Sequence, residues 1–318
     1  MAIYRILSLD GGGIRGLITA ILLERIEEVI PGVLDQVDLF AGTSTGGLLA
    51  LGLAAGMRPD AARELYEQKG EYVFKDNLVD NLLDFGNLIG ATYSVKRMKE
   101  ALELQFGDLI LDQLQKKVLI SSFDLDNYPE YSGELRTWKA KFFHNYTGND
   151  SDGNELVVDV ALRTSNAPTY FPIYQGYIDG GVVANNPSMC ALAQALNPAT
   201  GGRQIDEIRL LSIGTGQNTR FLSKDYGDWG VLHWAPHIVD LVMEGSTGLA
   251  DYQCRQLLSS NYFRINPLLP FPIRMDDIKH IPQMTEIANQ YNIENTVEWI
   301  KSVYLMSTRS EVDQPIFS

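Results

Sequence analysis

Three short stretches of the chain carry residues whose types and spacing permit chemistry. The first is Gly42-Thr43-Ser44-Thr45-Gly46, of the form G-x-S-x-G. It follows the apolar run VDLFA and precedes GGLLALGL, the strand–turn–helix setting that a nucleophile elbow requires. Gly42 and Gly46 are needed because side chains two residues either side of so sharp a turn would clash. The turn lifts the Ser44 hydroxyl clear of the sheet and leaves it at a helix N-terminus, whose partial positive charge favours a developing anion. An ordinary capped strand-to-helix turn has the same five letters, so the flanking strand and helix carry the argument.

The second stretch is Asp10-Gly11-Gly12-Gly13-Ile14-Arg15-Gly16, a G-x-G-x-x-G loop between a strand and a helix. A dinucleotide site needs an acid at the end of the following strand, about 20 residues on, to hold the ribose. Here that end is Gly42-Thr43-Ser44, while Asp35 and Asp38 sit at the strand's start, on the wrong edge. The loop reads instead as an oxyanion hole, with the N–H groups of Gly11, Gly12 and Gly13 forming a concave donor site. Two neighbouring parallel strands end on the same edge, so the loop faces Ser44. Arg15 either orients the loop or touches an anionic headgroup; a salt bridge to Glu24 is its structural alternative.

A serine nucleophile needs a base. The four histidines, His144, His233, His237 and His280, all lie outside the tight post-strand loops where a triad histidine belongs. The third stretch, Asp179-Gly180-Gly181 in GYIDGGVVANNP, places a carboxylate at a strand end where glycines let the backbone bend toward the same edge. An ordinary aspartate, with a pKa near ~3.9, is a poor base at neutral pH; burial beside apolar groups raises it. An isolated Asp-Gly is also a common turn. The NDSDGN segment resembles a calcium loop, but Gly148 stands where the first acidic ligand belongs. No metal or cofactor is expected.

These residues need elements to position them. YRILSL reads as a buried strand. GLITAILLERIEEVI is an amphipathic helix with Leu17, Ile18, Ile21, Leu22, Ile26 and Val29 on its apolar side. VDLFAG is a second strand, and TGGLLALGLAAG, apolar all round, a central helix. Strand, helix, strand and helix in succession imply a parallel sheet with right-handed crossovers. KKVLISSFDLD and EIRLLSIGTG add strands, and NNPSMCALAQAL starts a helix at Asn186 and Pro187. Residues 75–93, irregular and partly apolar, fit a flap over the sheet. The expectation is one α/β domain over residues 1–318, a three-layer α/β/α sandwich with a mostly parallel central sheet. A helical insertion is expected at about 60–115, and a mostly helical C-terminal third from about 218.

Hydrophobic residues make up 45% of the 318, enough for a substantial core. A formal net charge of −14 argues against nucleic-acid polymers, which are bound through Lys and Arg, and against electrostatic adhesion to an anionic bilayer. The basic clusters at 96–99, 116–117 and 136–141 read as solvated faces. Cys190 and Cys254 lie in apolar surroundings, which suggests no disulfide framework. MAIYRILSLDGGG enters a strand at once, leaving no room for a signal peptide, and no apolar run reaches bilayer length. The expected location is cytoplasmic, with transient peripheral membrane contact. Trp229, Trp234 and Met243 are candidates for an acyl groove or a bilayer contact, with plain core as the alternative.

Taken in order, Asp10–Gly16, Gly42–Gly46 and Asp179–Gly181 resemble the signature blocks of the patatin-like phospholipases. ALRTSNAPTYFP (161–172) and LLSIGTGQ (210–217) look like further family segments, so the resemblance runs from about residue 5 to 217. It implies an α/β/α sandwich with a Ser–Asp dyad: Ser44 as nucleophile, Asp179 as base, and the Gly11–Gly13 backbone as oxyanion hole. It implies hydrolysis of membrane-lipid acyl esters through an acyl-enzyme, of phospholipase A or lysophospholipase type, without a metal. Two alternatives stay open. One is acyl transfer to an acceptor other than water. The other is a nucleotide activator, since some bacterial members of the family act in antiviral defence as phospholipases switched on by cyclic nucleotides.

Overall fold

Side chains alternate along the first strand. Tyr4 and Ile6 face one way, Leu7 and Leu9 the other, and all four are buried. A strand buried on both faces belongs inside a parallel sheet covered by helices. The computed structural model describes residues 2–73, 93–128, 135–222 and 227–306, and it places this strand at the centre of such a sheet. The strands are β1 (Tyr4–Leu9), β2 (Leu39–Thr43), β3 (Lys117–Asp124), β4 (Lys139–His144), β5 (Tyr177–Asp179), β6 (Ile208–Ile213), β7 (Gln217–Asn218), β8 (Tyr262–Ile265) and β9 (Leu268–Leu269). The main sheet runs β4-β3-β2-β1-β6-β8, with β5 also on β3; β4 and β5 are antiparallel to β3 and the other pairs are parallel. β7 and β9 form a separate small ladder.

The helices are α1 (Gly16–Val29), α2 (Thr45–Ala54), α3 (Pro59–Val73), α4 (Val95–Phe106), α5 (Val157–Ser165), α6 (Gly181–Ala184), α7 (Ser188–Leu196), α8 (Val231–Leu258), α9 (Ile281–Gln290) and α10 (Glu294–Trp299). They divide between the two sheet faces. Leu7, Leu9, Phe40 and Val118 join one apolar cluster with α1, α2, α4, α5 and α9. Ile6, Leu39, Ala41 and Leu210 join another with α7 and α8. The result is an α/β/α sandwich with a mostly parallel central sheet. Each fully buried aliphatic side chain contributes roughly 1.5–3 kcal/mol, so the two faces together hold the strand ends that carry the site.

Two local expectations differ. Val29 is 48% exposed at the end of α1, whereas the first two turns of that helix are buried on every side. The reason is that α3 and α9 pack on α1 as well as the sheet. Within the C-terminal third, read as mostly helical, NYFRIN folds as β8, an outer strand of the main sheet that the sequence reading did not single out. Asn186 accepts the Ser188 N–H at 3.0 Å, so α7 begins where the Asn-Pro pair places it. Of the stretch read as a flap, residues 75–92 lie outside the described residues. No helix among the described residues is long and apolar enough to cross a membrane.

Candidate active site

Ser44 stands between the last residue of β2 and the first of α2. Its backbone is at φ 54°, ψ −125°, a conformation that costs a non-glycine residue on the order of 1–3 kcal/mol. The neighbours make that turn possible. A β-carbon on Gly42 would overlap the Gly46 carbonyl, and one on Gly46 would overlap the Leu9 carbonyl at the end of β1. The turn is braced from α5: the Ser44 N–H donates to Thr164 Oγ1 at 2.9 Å, and that hydroxyl donates to the Ser121 carbonyl at 2.5 Å. Ser44 itself is 7% exposed.

Strand register brings Asp179 to the same point. Thr43, the last residue of β2, pairs with Ser121 of β3. The next residue of β3, Ser122, pairs with Asp179 of β5. β5 therefore takes up the place on β3 that β2 vacates at the elbow, and its terminal aspartate arrives beside Ser44. One carboxylate oxygen, Oδ1, accepts the Gly181 N–H at 2.7 Å. The other, Oδ2, is sealed from solvent and has no partner of full hydrogen-bond geometry. Burial pushes the Asp179 carboxyl up to about 6, against the opposing pull of the Ser44 hydroxyl and the Gly181 N–H, both of which favour the charged form.

The glycine loop closes a third side. A β-carbon built on Gly11 would lie 3.2 Å from Ser44 Cβ, so loop and serine are in contact. Gly11 departs from the expectation of three free donors: its N–H is spent on the Asn185 carbonyl at 3.0 Å. The N–H groups of Gly12 and Gly13 have no partner among the described residues. The loop is held from below by Asp10, which forms a buried two-pronged ion pair with Arg264 of β8 at 2.6 and 3.1 Å. Arg264 also donates to Ser212 Oγ at 2.6 Å. Arg15 is buried and reaches the carbonyls of Gly12 (3.5 Å) and Gly216 (3.3 Å). Burial lowers its pKa, with Glu244 and Asp240 of α8 acting the other way. Glu24, its alternative partner, is held by Arg63 at 3.0 Å.

A cavity of about 160 Å³ opens from Ser44. Its walls are apolar side chains of α2, α3 and α4, among them Leu48, Leu65, Met98 and Leu102, with Phe171 opposite. The volume resembles that of apolar cavities of about 150 Å³ that stay dry and accept a benzene-sized group. Trp229, Trp234 and Met243 are not among its lining residues. Met243 instead packs against the turn after Asp179, where a β-carbon on Gly181 would lie 2.9 Å from its Cε. No histidine lines the cavity. His144 is buried edge-on to Tyr146, His233 and His237 lie against Trp229, and His280 sits beside Asp277. The residues missed by sequence reading are Arg264, Asn185 and Thr164. Each acts across more than a hundred residues of chain; Thr164 and Asn185 lie inside the ALRTSNAPTYFP and GYIDGGVVANNP segments, whereas nothing local signals Arg264.

An apolar cavity that ends at a hydroxyl suits an acyl chain with its ester at the mouth, and the protein is by class a lipid acyl hydrolase. The model of the patatin-like phospholipase family matches residues 7–192, and the chain belongs to that family. It is 31% identical over 295 residues to a cGAMP-activated phospholipase of Pseudomonas aeruginosa, covering 89% of this chain and 83% of the relative. It is 29% identical over 315 residues to patatin-like protein 2 of Arabidopsis thaliana, covering 82% and 74%. Among solved structures, VipD from Legionella pneumophila aligns over 91% of this chain and 67% of its own, with a TM-score of 0.39 and 12% identity.

Proposed function

We propose that the protein hydrolyses acyl esters of membrane glycerophospholipids, as a phospholipase A or lysophospholipase, through Ser44 and Asp179. One observation carries this reading: the buried Asp179 carboxyl lies at the elbow within the influence of the Ser44 hydroxyl, its Oδ2 sealed from solvent. Ser44 Oγ attacks the ester carbonyl carbon and its proton passes to Asp179. The electron pair of the carbonyl bond moves to oxygen, which the Gly12 and Gly13 N–H groups stabilise; one such donor is worth about 2.7–4 kcal/mol of transition-state energy. Collapse expels the alcohol, which takes the proton from Asp179 and leaves an acyl-Ser44 ester. Water then attacks that ester, gives its proton to Asp179, and the fatty acid departs as Ser44 is reprotonated. The apolar cavity holds the acyl-chain carbons nearest the ester throughout.

The test is a fluorophosphonate serine probe with a lipid-ester assay. Labelling and turnover are expected for the wild type and absent for Ser44→Ala. Undiminished labelling of Ser44→Ala would assign the chemistry to another nucleophile. A second reading, favoured by the cGAMP-activated relative, is that a cyclic dinucleotide switches this activity on. The same assay with and without cGAMP separates the two, a strict requirement marking the gated enzyme.

A further inference from the structure

α8 is longer than the layer it belongs to. Its 28 residues span about 42 Å at the helical rise, whereas six-residue strands such as β6 span about 20 Å. Only a short turn separates α8 from β8, and β8 is parallel to its neighbours. The helix therefore runs against the strand direction and its N-terminal half heads for the rim where Ser44 stands. Met243 marks the level of the Asp179 turn. The twelve residues before it (231–242) extend up to about 18 Å beyond that level.

The projecting segment is apolar where it should be polar. Met243, Ala250, Cys254 and Leu258 are buried and form the inward stripe of α8. Val231, Trp234, Ile238, Leu241, Leu249 and Tyr252 are exposed, and at 3.6 residues per turn they form a second stripe on the opposite side. Asp240, Glu244, Asp251 and Arg255 fall on one flank between the stripes. At the tip the exposure goes all the way round: Leu232 lies on the inward side and is 89% exposed. Arg220 pairs with Asp240, which brings Phe221, 90% exposed, alongside the same segment. Trp229 meets Trp234 edge-on and lies against His233 and His237, a grouping of apolar bodies with polar tips that suits a membrane–water boundary.

We propose that the projecting half of α8, with Phe221, is the element by which this protein enters a neutral lipid bilayer. A second copy of the chain would cover one side of the tip and leave Leu232 or the outer stripe in water. Hydrocarbon covers the whole circumference. The flank carries more acid than base and the chain is at −14, so the attraction is hydrophobic rather than electrostatic. The inference rests on the lipid-hydrolase reading for its choice of occupant, but its test does not depend on turnover.

The test is flotation with phosphatidylcholine vesicles. Wild type and Ser44→Ala are expected to float equally. V231E/L232E, and separately Phe221→Glu, are expected to bind at least about tenfold more weakly, since each places a charge in hydrocarbon. Both variants should hydrolyse a water-soluble short-chain ester within about twofold of wild type, which shows that the fold and site are intact. Binding should persist at high salt, because apolar burial is not screened. Failure of the wild type to float, unchanged flotation of both variants, or release of the protein by salt would overturn the proposal. So would variants that dissociate a dimer in light scattering while still floating. Flotation without any lipid hydrolysis would instead count against the catalytic reading and leave this one standing.

Discussion

Asp179 holds a proton more tightly than an ordinary aspartate because burial penalises its charge. In the proposed role of base it must be ionised to act, so kcat/KM on a soluble ester is expected to rise through about pH 6 and then level off. Asp179→Asn removes the proposed base and should lower that rate by at least about a hundredfold. The same burial has a cost in stability. Below the ordinary value of 3.8 the group is protonated in both folded and unfolded chains and costs nothing. Between 3.8 and about 6 the unfolded chain ionises first, so stability falls as pH rises, and above about 6 the loss is complete. The gap between those values corresponds to roughly 3 kcal/mol. Asp179→Asn is therefore expected to be more stable than wild type in urea at about pH 8, with the difference closing near about pH 4. A constant difference across that range would show that the carboxyl is not the cause.

At the scale of elements, β8 holds the glycine loop through Arg264, and α3 and α4 wall the acyl cavity. Arg264→Met leaves Asp10 buried without its cation, which is expected to cost about 3–5 kcal/mol in denaturant unfolding; Asp10→Asn in the same chain should recover much of it. Ala101→Phe, inside the cavity, should lower the ratio of long-chain to short-chain ester hydrolysis by about tenfold, measured on a series of acyl lengths. Of these elements, α3 and α4 were read as helical from the sequence, and β8 was the hardest to see. The elbow was legible because Gly42 is forced by crowding against Gly46 inside the motif itself, and that much is written in five residues; Gly46 is forced from β1, by the Leu9 carbonyl. Asp179 was legible for a similar reason, since the glycines after it mark a bend. β8 was not singled out within the stretch read as mostly helical, because a four-residue outer strand between a long helix and a proline-rich break has too few alternations to show its period. Arg264 belongs to the site only through a sheet neighbour, and no spacing rule reaches it. Trp229, Trp234 and Met243, read as acyl groove, bilayer contact or plain core, lie away from the cavity, whose wall residues Met98, Leu102 and their neighbours follow ordinary helical spacing. What makes them a cavity wall is the small gap left between α2, α3 and α4.

At the scale of the whole molecule, a net charge of −14 sets how the protein meets a surface. Replacing about half of the phosphatidylcholine in vesicles by an anionic lipid should weaken association at low salt, and added salt should restore it, because like charges repel over a screening length of about 10 Å. Sedimentation with vesicles of graded composition checks this; tighter binding to the anionic vesicles would contradict it. The three-layer sandwich also determines how activity is lost on heating. β3 pairs with both β2 and β5, so Thr43, the residue before the hydroxyl, and Asp179 sit on consecutive rungs of one strand rather than on independent flaps. Parting them means tearing that strand from its neighbours. Inactivation on warming should then coincide with the calorimetric transition instead of preceding it, making this an enzyme that stays fully competent until it melts.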